Sequence, residues 1–161
     1  GGECRAAEPP ECISAAFGVP AWQRADSSVT PRDVTLDHGV RLRGDDVQVT
    51  GDPRAVRVRL FWDAPGALPQ SYALFVHLTR PDDPAPLAQH ADYPAITTDA
   101  WHGGAAWVSD VVIELGDDIP PGQYALNAGW FVPESGERLP VRGDGPLARA
   151  GIVRIATVTV E

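Results

Sequence analysis

The sequence predicts an all-β protein, an antiparallel β-sandwich of jelly-roll or immunoglobulin-like type. Three observations predict it. From residue 34 onward, side chains alternate between apolar and polar with period two. Rigid bends rich in Pro and Gly stand between those runs. No helical pattern of roughly 10–15 residues separates one run from the next, so βαβ units and a parallel sheet are not expected.

The elements follow in order. Residues 1–33 are rich in Ala, Pro, Ser and Glu and keep no sustained period. They read as an extended N-terminal arm, and residues 34–161 as the sandwich domain. Phe17, Val19 and Trp22 are the arm's candidate partner-binding residues, because apolar side chains on an arm need a surface to cover. Short strands are expected near Val40–Arg43 and Val47–Thr50. Val56, Val58, Leu60 and Trp62 then alternate with Arg57, Arg59 and Phe61, giving one apolar and one mostly polar face. Tyr72, Leu74, Val76 and Leu78 repeat the pattern against Ala73, Phe75 and His77. A short strand is expected near Leu87–Ala91. Trp107, Val111, Ile113 and Leu115 share the apolar face of the next strand, with Val112 and Glu114 opposite. Tyr124, Leu126, Ala128 and Trp130 follow, opposed by Ala125, Asn127 and Phe131, and Ile152–Val160 closes the fold. The bends are Asp63-Ala-Pro-Gly66, Arg80-Pro-Asp-Asp-Pro84, Ile119-Pro-Pro-Gly122 and Pro133-Glu-Ser-Gly136. Pro presets φ and Gly accepts positive φ, as tight turns require.

Composition sets the class. A chain of 161 residues with 43% hydrophobic and 22% charged residues is one ordinary globular domain. Gly and Pro at 16 each leave little room for long helices. All 13 cations are Arg, which excludes Schiff-base lysine chemistry, pyridoxal-phosphate lysines and a P-loop. A net charge of −9 without a basic run argues against nucleic acid and against an anionic membrane surface. No segment reaches the roughly 18 apolar residues of a membrane span. Cys4 and Cys12 are too few for a zinc site, and a local disulfide is preferred over two free thiols. That pairing implies an oxidising, extracytoplasmic location, whether periplasmic, secreted or cell-surface.

Reactive chemistry is sparse. No Ser stands in G-x-S-x-G, and the 4 His form neither H-x-H nor H-E-x-x-H. His77, mid-strand, reads as a half-buried structural histidine. His90, Asp92 and His102 flank a Pro- and Thr-rich loop with spacing irregular for a metal site, so none is assigned. Asp45-Asp46, Asp82-Asp83 and Asp117-Asp118 leave a structural Ca²⁺ as the single cofactor in play, although Asp pairs beside turns usually serve the turn alone. Trp62, Trp107 and Trp130 fall on apolar strand faces and belong to the core. Trp101 lies in a loop, where exposure is expected. With Tyr93, His102 and Asp92 it forms the candidate ligand-binding set, since flat aromatics stack on sugar rings while polar neighbours bind the hydroxyls.

Several runs carry a family resemblance in their shared order. They are Val40-Arg-Leu-Arg-Gly-Asp45, Val56-Arg-Val-Arg-Leu-Phe-Trp62, Tyr72-Ala-Leu-Phe-Val-His-Leu78, Ala88-Gln-His-Ala-Asp-Tyr-Pro94 and Thr97-Thr-Asp-Ala-Trp101. Trp107-Val-Ser-Asp110, Ile119-Pro-Pro-Gly-Gln-Tyr124, Gly129-Trp-Phe131 and Ser135-Gly-Glu-Arg-Leu-Pro140 complete the series. Together they resemble the soluble C-terminal β-sandwich domain of bacterial family-39-type membrane glycosyltransferases and related polytopic membrane proteins. The resemblance implies a sandwich outside the cytoplasm without catalysis of its own. It does not extend to residues 1–33, and the membrane-spanning transferase is missing, so transferase activity is not implied.

The expected function is therefore a non-catalytic extracytoplasmic structural or interaction domain. It would be a subunit docked on a membrane complex or cell-surface assembly through its arm and sheet edges, with a protein partner. The alternative is a carbohydrate-binding module recognising glycan or cell-envelope material. A glycan hydrolase built on paired carboxylates is the third reading.

Overall fold

The alternation of Val56, Val58, Leu60 and Trp62 becomes the inward face of a central strand, with every one of them at most 1% exposed. The computed structural model describes residues 29–161. The expectations placed on Cys4, Cys12, Phe17, Val19 and Trp22 lie outside the described residues. Among the described residues eight strands run in chain order: β1 (Thr30–Thr35), β2 (Arg41–Gly51), β3 (Arg54–Ala64), β4 (Ala73–Arg80), β5 (Asp83–Asp92), β6 (Ala105–Glu114), β7 (Gly122–Phe131) and β8 (Val153–Val160). A one-turn helix, α1 (Pro146–Arg149), precedes β8. β1 takes in residues 30–33, the last four of the stretch read as arm.

The strands form two four-stranded sheets. The first has the order β1-β2-β3-β6 and the second β5-β4-β7-β8, and all pairs are antiparallel. The chain changes sheet between β3 and β4, between β5 and β6, and between β6 and β7. This places β6 beside β3 and β7 beside β4, the immunoglobulin-like arrangement rather than the jelly-roll one. A tyrosine corner marks the last crossing: at the start of β7, Tyr124 donates its hydroxyl to the Pro120 carbonyl at 2.5 Å. The Ile119-Pro-Pro-Gly122 bend supplies that acceptor.

One expectation is corrected in β2. The two short strands read at Val40–Arg43 and Val47–Thr50 are a single strand interrupted by a bulge, since Leu42 pairs with Trp62 while Gly44 pairs with Phe61. The extra residue, Arg43, breaks the alternation without breaking the strand. It also turns Asp45, partner of Leu60, toward the inside. There Asp45 is only 4% exposed. Arg32 of β1 meets it at 2.5 Å and donates a second hydrogen bond to the Ile155 carbonyl of β8 at 2.6 Å. That one guanidinium ties the open side of the first sheet to the second. Burial nonetheless pushes the Asp45 carboxyl up, against the pull of Arg32.

Between the sheets lies a continuous apolar core. Trp130 is fully buried at its centre, edge-on to Trp62 with centroids 5.4 Å apart and 5.2 Å from Trp107. Each fully buried Leu, Val or Trp there contributes roughly 1.5–3 kcal/mol by leaving water, and edge-on aromatic pairs add about 0.5–1.5 kcal/mol.

Candidate functional site

The register of the second sheet determines which side chains share its outer face. His77 of β4 lies opposite Gln89 of β5 and Asn127 of β7, and Asn127 lies opposite Arg154 of β8. One polar row therefore crosses all four strands. Arg154 fixes its end by donating Nε–H to Asn127 Oδ1 at 2.7 Å. The neighbouring row is apolar, with Phe75 between Ala91 and Gly129.

Gly129 has to be glycine for this row to exist. A Cβ there would lie 2.6 Å from the Phe75 ring and would also strike the Gly151 carbonyl. The missing side chain lets Phe75 lie flat across β7, where it is 5% exposed although it faces away from the core. Its ring centroid lies 4.7 Å from His77 and 6.2 Å from Phe131.

The roof comes from the segment after β7. Gly136, at φ +75°, closes a turn in which its amide donates to the Val132 carbonyl at 2.7 Å. The chain then runs back along β7, and the Leu139 amide donates to the Trp130 carbonyl at 2.8 Å. Leu139 plugs the core at 1% exposure, so its neighbour Arg138 is carried outward. The Arg138 guanidinium stands 4.6 Å over the Phe75 ring, a cation–π contact, and donates to the Ala150 carbonyl at 3.4 Å.

The result is an open depression of about 470 Å³. Phe75, Phe131 and Ala91 give it an apolar floor, and His77, Gln89, His90 and Arg138 form its polar wall. Among the described residues no carboxylate lines it, in a chain with 22 acidic residues and a net charge of −9. Burial, helped by the Arg138 charge, lowers the His77 pKa to about 4. His77 is thus a neutral imidazole near pH 7, with one nitrogen donating and the other accepting. The site can hold an apolar group and hydrogen-bond or ion-pair a polar head.

The residues singled out from sequence are placed differently. Trp101 was expected at the surface and is only 7% exposed. Its ring packs edge-on to Trp130 at 5.9 Å, and its Nε1–H donates to the Ile96 carbonyl at 2.9 Å. The cause is Thr98: its hydroxyl donates to the Gln70 carbonyl at 2.7 Å and accepts from the Tyr72 amide at 2.8 Å. That stitch pulls the loop onto the 68–72 segment and turns Trp101 inward, so it offers no sugar platform. Asp92 and Tyr93 close the end of β5. Asp92 is half-buried, and burial pushes its carboxyl up against the pull of His90. Tyr93 is 63% exposed, and His102 is exposed in the following turn. Among the described residues, no group of three or more His, Cys, Asp or Glu could hold a metal ion. Asp45 and Asp46 go to Arg32 and Arg59, and Asp83 accepts the Ala85 amide at 3.0 Å, a turn role.

Phe75, His77, Gln89 and Arg138 were not foreseen as a site. Their one sequence signal was the second face of β4, where Phe75 and His77 stand at positions that an exposed strand would fill with charged or small polar residues. No helix among the described residues is long and apolar enough to cross a membrane. No family model matches the chain, and no curated protein matches it.

Proposed function

We propose that this chain is a non-catalytic extracytoplasmic interaction domain that docks a protein partner on the outer face and free edge of its second sheet. The observation that carries the reading is β5. It is the end strand of that sheet among the described residues, and eight of its ten residues are exposed. Pro84 and Pro86 interrupt its first half, as edge strands shielded from pairing do. From Leu87 to Asp92 there is no Pro, and the only acidic residue is the last. That half offers backbone N–H and C=O groups to an added strand, beside an apolar depression that would receive its side chains.

Two further points support a docking role over chemistry or sugar binding. Among the described residues no carboxylate lines the depression beside His77, so a carboxylate–imidazole pair is not assembled there. Phe75, the aromatic floor, already carries Arg138 on its ring. The carbohydrate reading keeps Tyr93 alone as an exposed aromatic from its original set. The family resemblance supports a position in the cell envelope, on a membrane complex or surface assembly.

The test is site-specific photocrosslinking in the native envelope. A crosslinker at Leu87 should trap one discrete protein partner, and a crosslinker at Val112, exposed on the first sheet, should not. Ala91→Pro should abolish the Leu87 product. Equal products from both sites, or a Leu87 product indifferent to the proline, would defeat the proposal.

A further inference from the structure

The outer face of the first sheet carries an apolar seam. Pro31, Gly44, Phe61 and Val108 stand opposite one another on β1, β2, β3 and β6, so one row without a polar side chain crosses all four strands. Phe61 lies between Leu60 and Trp62, which fill the core, so its ring points outward. It is nevertheless 3% exposed. Gly44 beside it has no side chain to lend cover, and the Arg59 guanidinium stands 6.0 Å from the ring centroid. In the next row Asp46, opposite Arg59, is likewise only 4% exposed. The shelter ends beyond these two rows: the Arg57 and Asp110 side chains are 50% and 44% exposed, and Val112 is 48% exposed.

We infer that residues 17–22 of the same chain, Phe17-Gly-Val-Pro-Ala-Trp22, lie across this seam and set Trp22 against Phe61. The described residues begin at Val29, and Thr30 and Pro31 already pair with Asp45 and Gly44, at the β1 end of the seam. From β1 to β3 is two strand spacings, about 10 Å. An extended chain covers about 3.3 Å per residue. Trp22, eight residues before Thr30, therefore reaches Phe61 even after the chain reverses direction, and Val19 and Phe17 can continue toward Val108. The chemistry matches as well. Arg43 and Arg59 on this face already hold Asp63 and Asp46, so a covering segment has no charge to supply. A charged one would be desolvated without a partner. Residues 13–23 carry no charge and include Ile13, Phe17, Val19 and Trp22. The arm's apolar residues are then engaged by their own domain, which closes the first face and leaves the second sheet to a partner. The inference stands apart from the docking reading above.

The experiment uses the full chain with fluorotryptophan at its 5 Trp positions. Trp22→Phe identifies the Trp22 resonance, and its fluorine NMR shift between H₂O and D₂O reads exposure to solvent. In the wild type that shift should be less than half of the shift of free fluorotryptophan. Phe61→Ala should raise it nearly to the free value, while Trp107 and Trp130 stay protected and show the fold intact. Val112→Ala, on the same face beyond the seam, should leave Trp22 protected. A photocrosslinker at Val108, with Phe61 in place, should join to residues 13–24 in a product of monomer mass. A fully exposed Trp22 in the wild type, protection that survives Phe61→Ala, or a Val108 product that includes no part of residues 13–24 would overturn the inference. So would a product of twice the monomer mass, which would put a second copy's arm on the seam. None of these outcomes depends on the Leu87 crosslink.

Discussion

The two sheets turn very different surfaces outward. On the first, charge is matched by charge. Arg57 grips Asp110 through two hydrogen bonds of 3.0 and 2.6 Å, Arg59 meets Asp46 at 2.5 Å, and Arg43 meets Asp63 at 2.9 Å. Phe61 is buried among them at 3% exposure. On the second, the corresponding positions carry Phe75, His77, Gly129 and Asn127, and the two Arg beside them, Arg138 and Arg154, hydrogen-bond carbonyl oxygens rather than an acid among the described residues. Both faces come from the same period-two rule. The difference is that the first face pairs its cations with acids, while the second keeps an apolar floor and, among the described residues, cations that meet no acid. A face of the second kind has more to gain from a partner.

The sharpest way to break this comparison is to remove the floor. Phe75→Ala deletes a ring that is 5% exposed and takes away the surface on which Arg138 rests. Truncations of this type cost about 3–5 kcal/mol, here toward the lower end because the site opens to solvent. Urea unfolding should show a lower midpoint with an unchanged slope. A loss below about 1 kcal/mol would mean that the second outer face is no more than a decorated surface.

The next effect is set by pH. The native His77 pKa is about 4, below its unfolded value near 6.5, because burial and the Arg138 charge disfavour the imidazolium. The unfolded chain therefore binds more protons across that window. The stability tied to neutral His77 is complete above about pH 6.5 and is lost as pH falls toward 4. His77 is partly exposed, so solvent screening trims the effect to about 1–2 kcal/mol. Asp45 and Asp92 shift the opposite way and Asp110 shifts down, so the total curve mixes several groups. The difference between wild type and His77→Gln isolates this one. The two curves should run parallel above pH 6.5, and between pH 6.5 and 4 the wild type should lose stability faster. A constant difference across pH 4–7 would show that His77 is not held neutral.

Much of the fold was legible because period-two alternation is a local signal. β3, β4, β6, β7 and β8 each show it, and each fell close to its expected place. β2 was read as two pieces because one bulged residue, Arg43, reverses the facing of everything after it. β5 was read short because Pro84 and Pro86 look like a turn, yet both lie in an end strand that tolerates them. The site was less legible, since its parts are local but their meeting is not. The non-core face of β4 was visible as Phe75 and His77. Nothing nearby in sequence indicates that Arg138 will cover it, because that depends on Leu139 being drawn into the core. Trp101 misled for a related reason. Its loop is fixed by Thr98 hydrogen bonds to residues 70 and 72, which no turn signal encodes.

The smallest effect belongs to the first face, and it tests the other half of the comparison. Hydrogen bonding to Arg57, with the Arg57 charge behind it, holds the Asp110 carboxyl below its ordinary range. Both side chains are well exposed, so water and salt weaken what the pair adds to stability. A double-mutant cycle with Arg57→Ala and Asp110→Ala should give a coupling far smaller than the loss in Phe75→Ala. That coupling should vanish near 1 M salt, where screening acts within about 3 Å. In Arg57→Ala the Asp110 carboxyl should titrate closer to its ordinary value, followed by carboxyl carbon NMR. Because the lowered pKa stabilises the native state above the unfolded value, the wild type should lose this increment as acid protonates Asp110. A coupling as large as the Phe75 loss would mean that the first face is held as firmly as the second, and the asymmetry that points a partner to β5 would be gone.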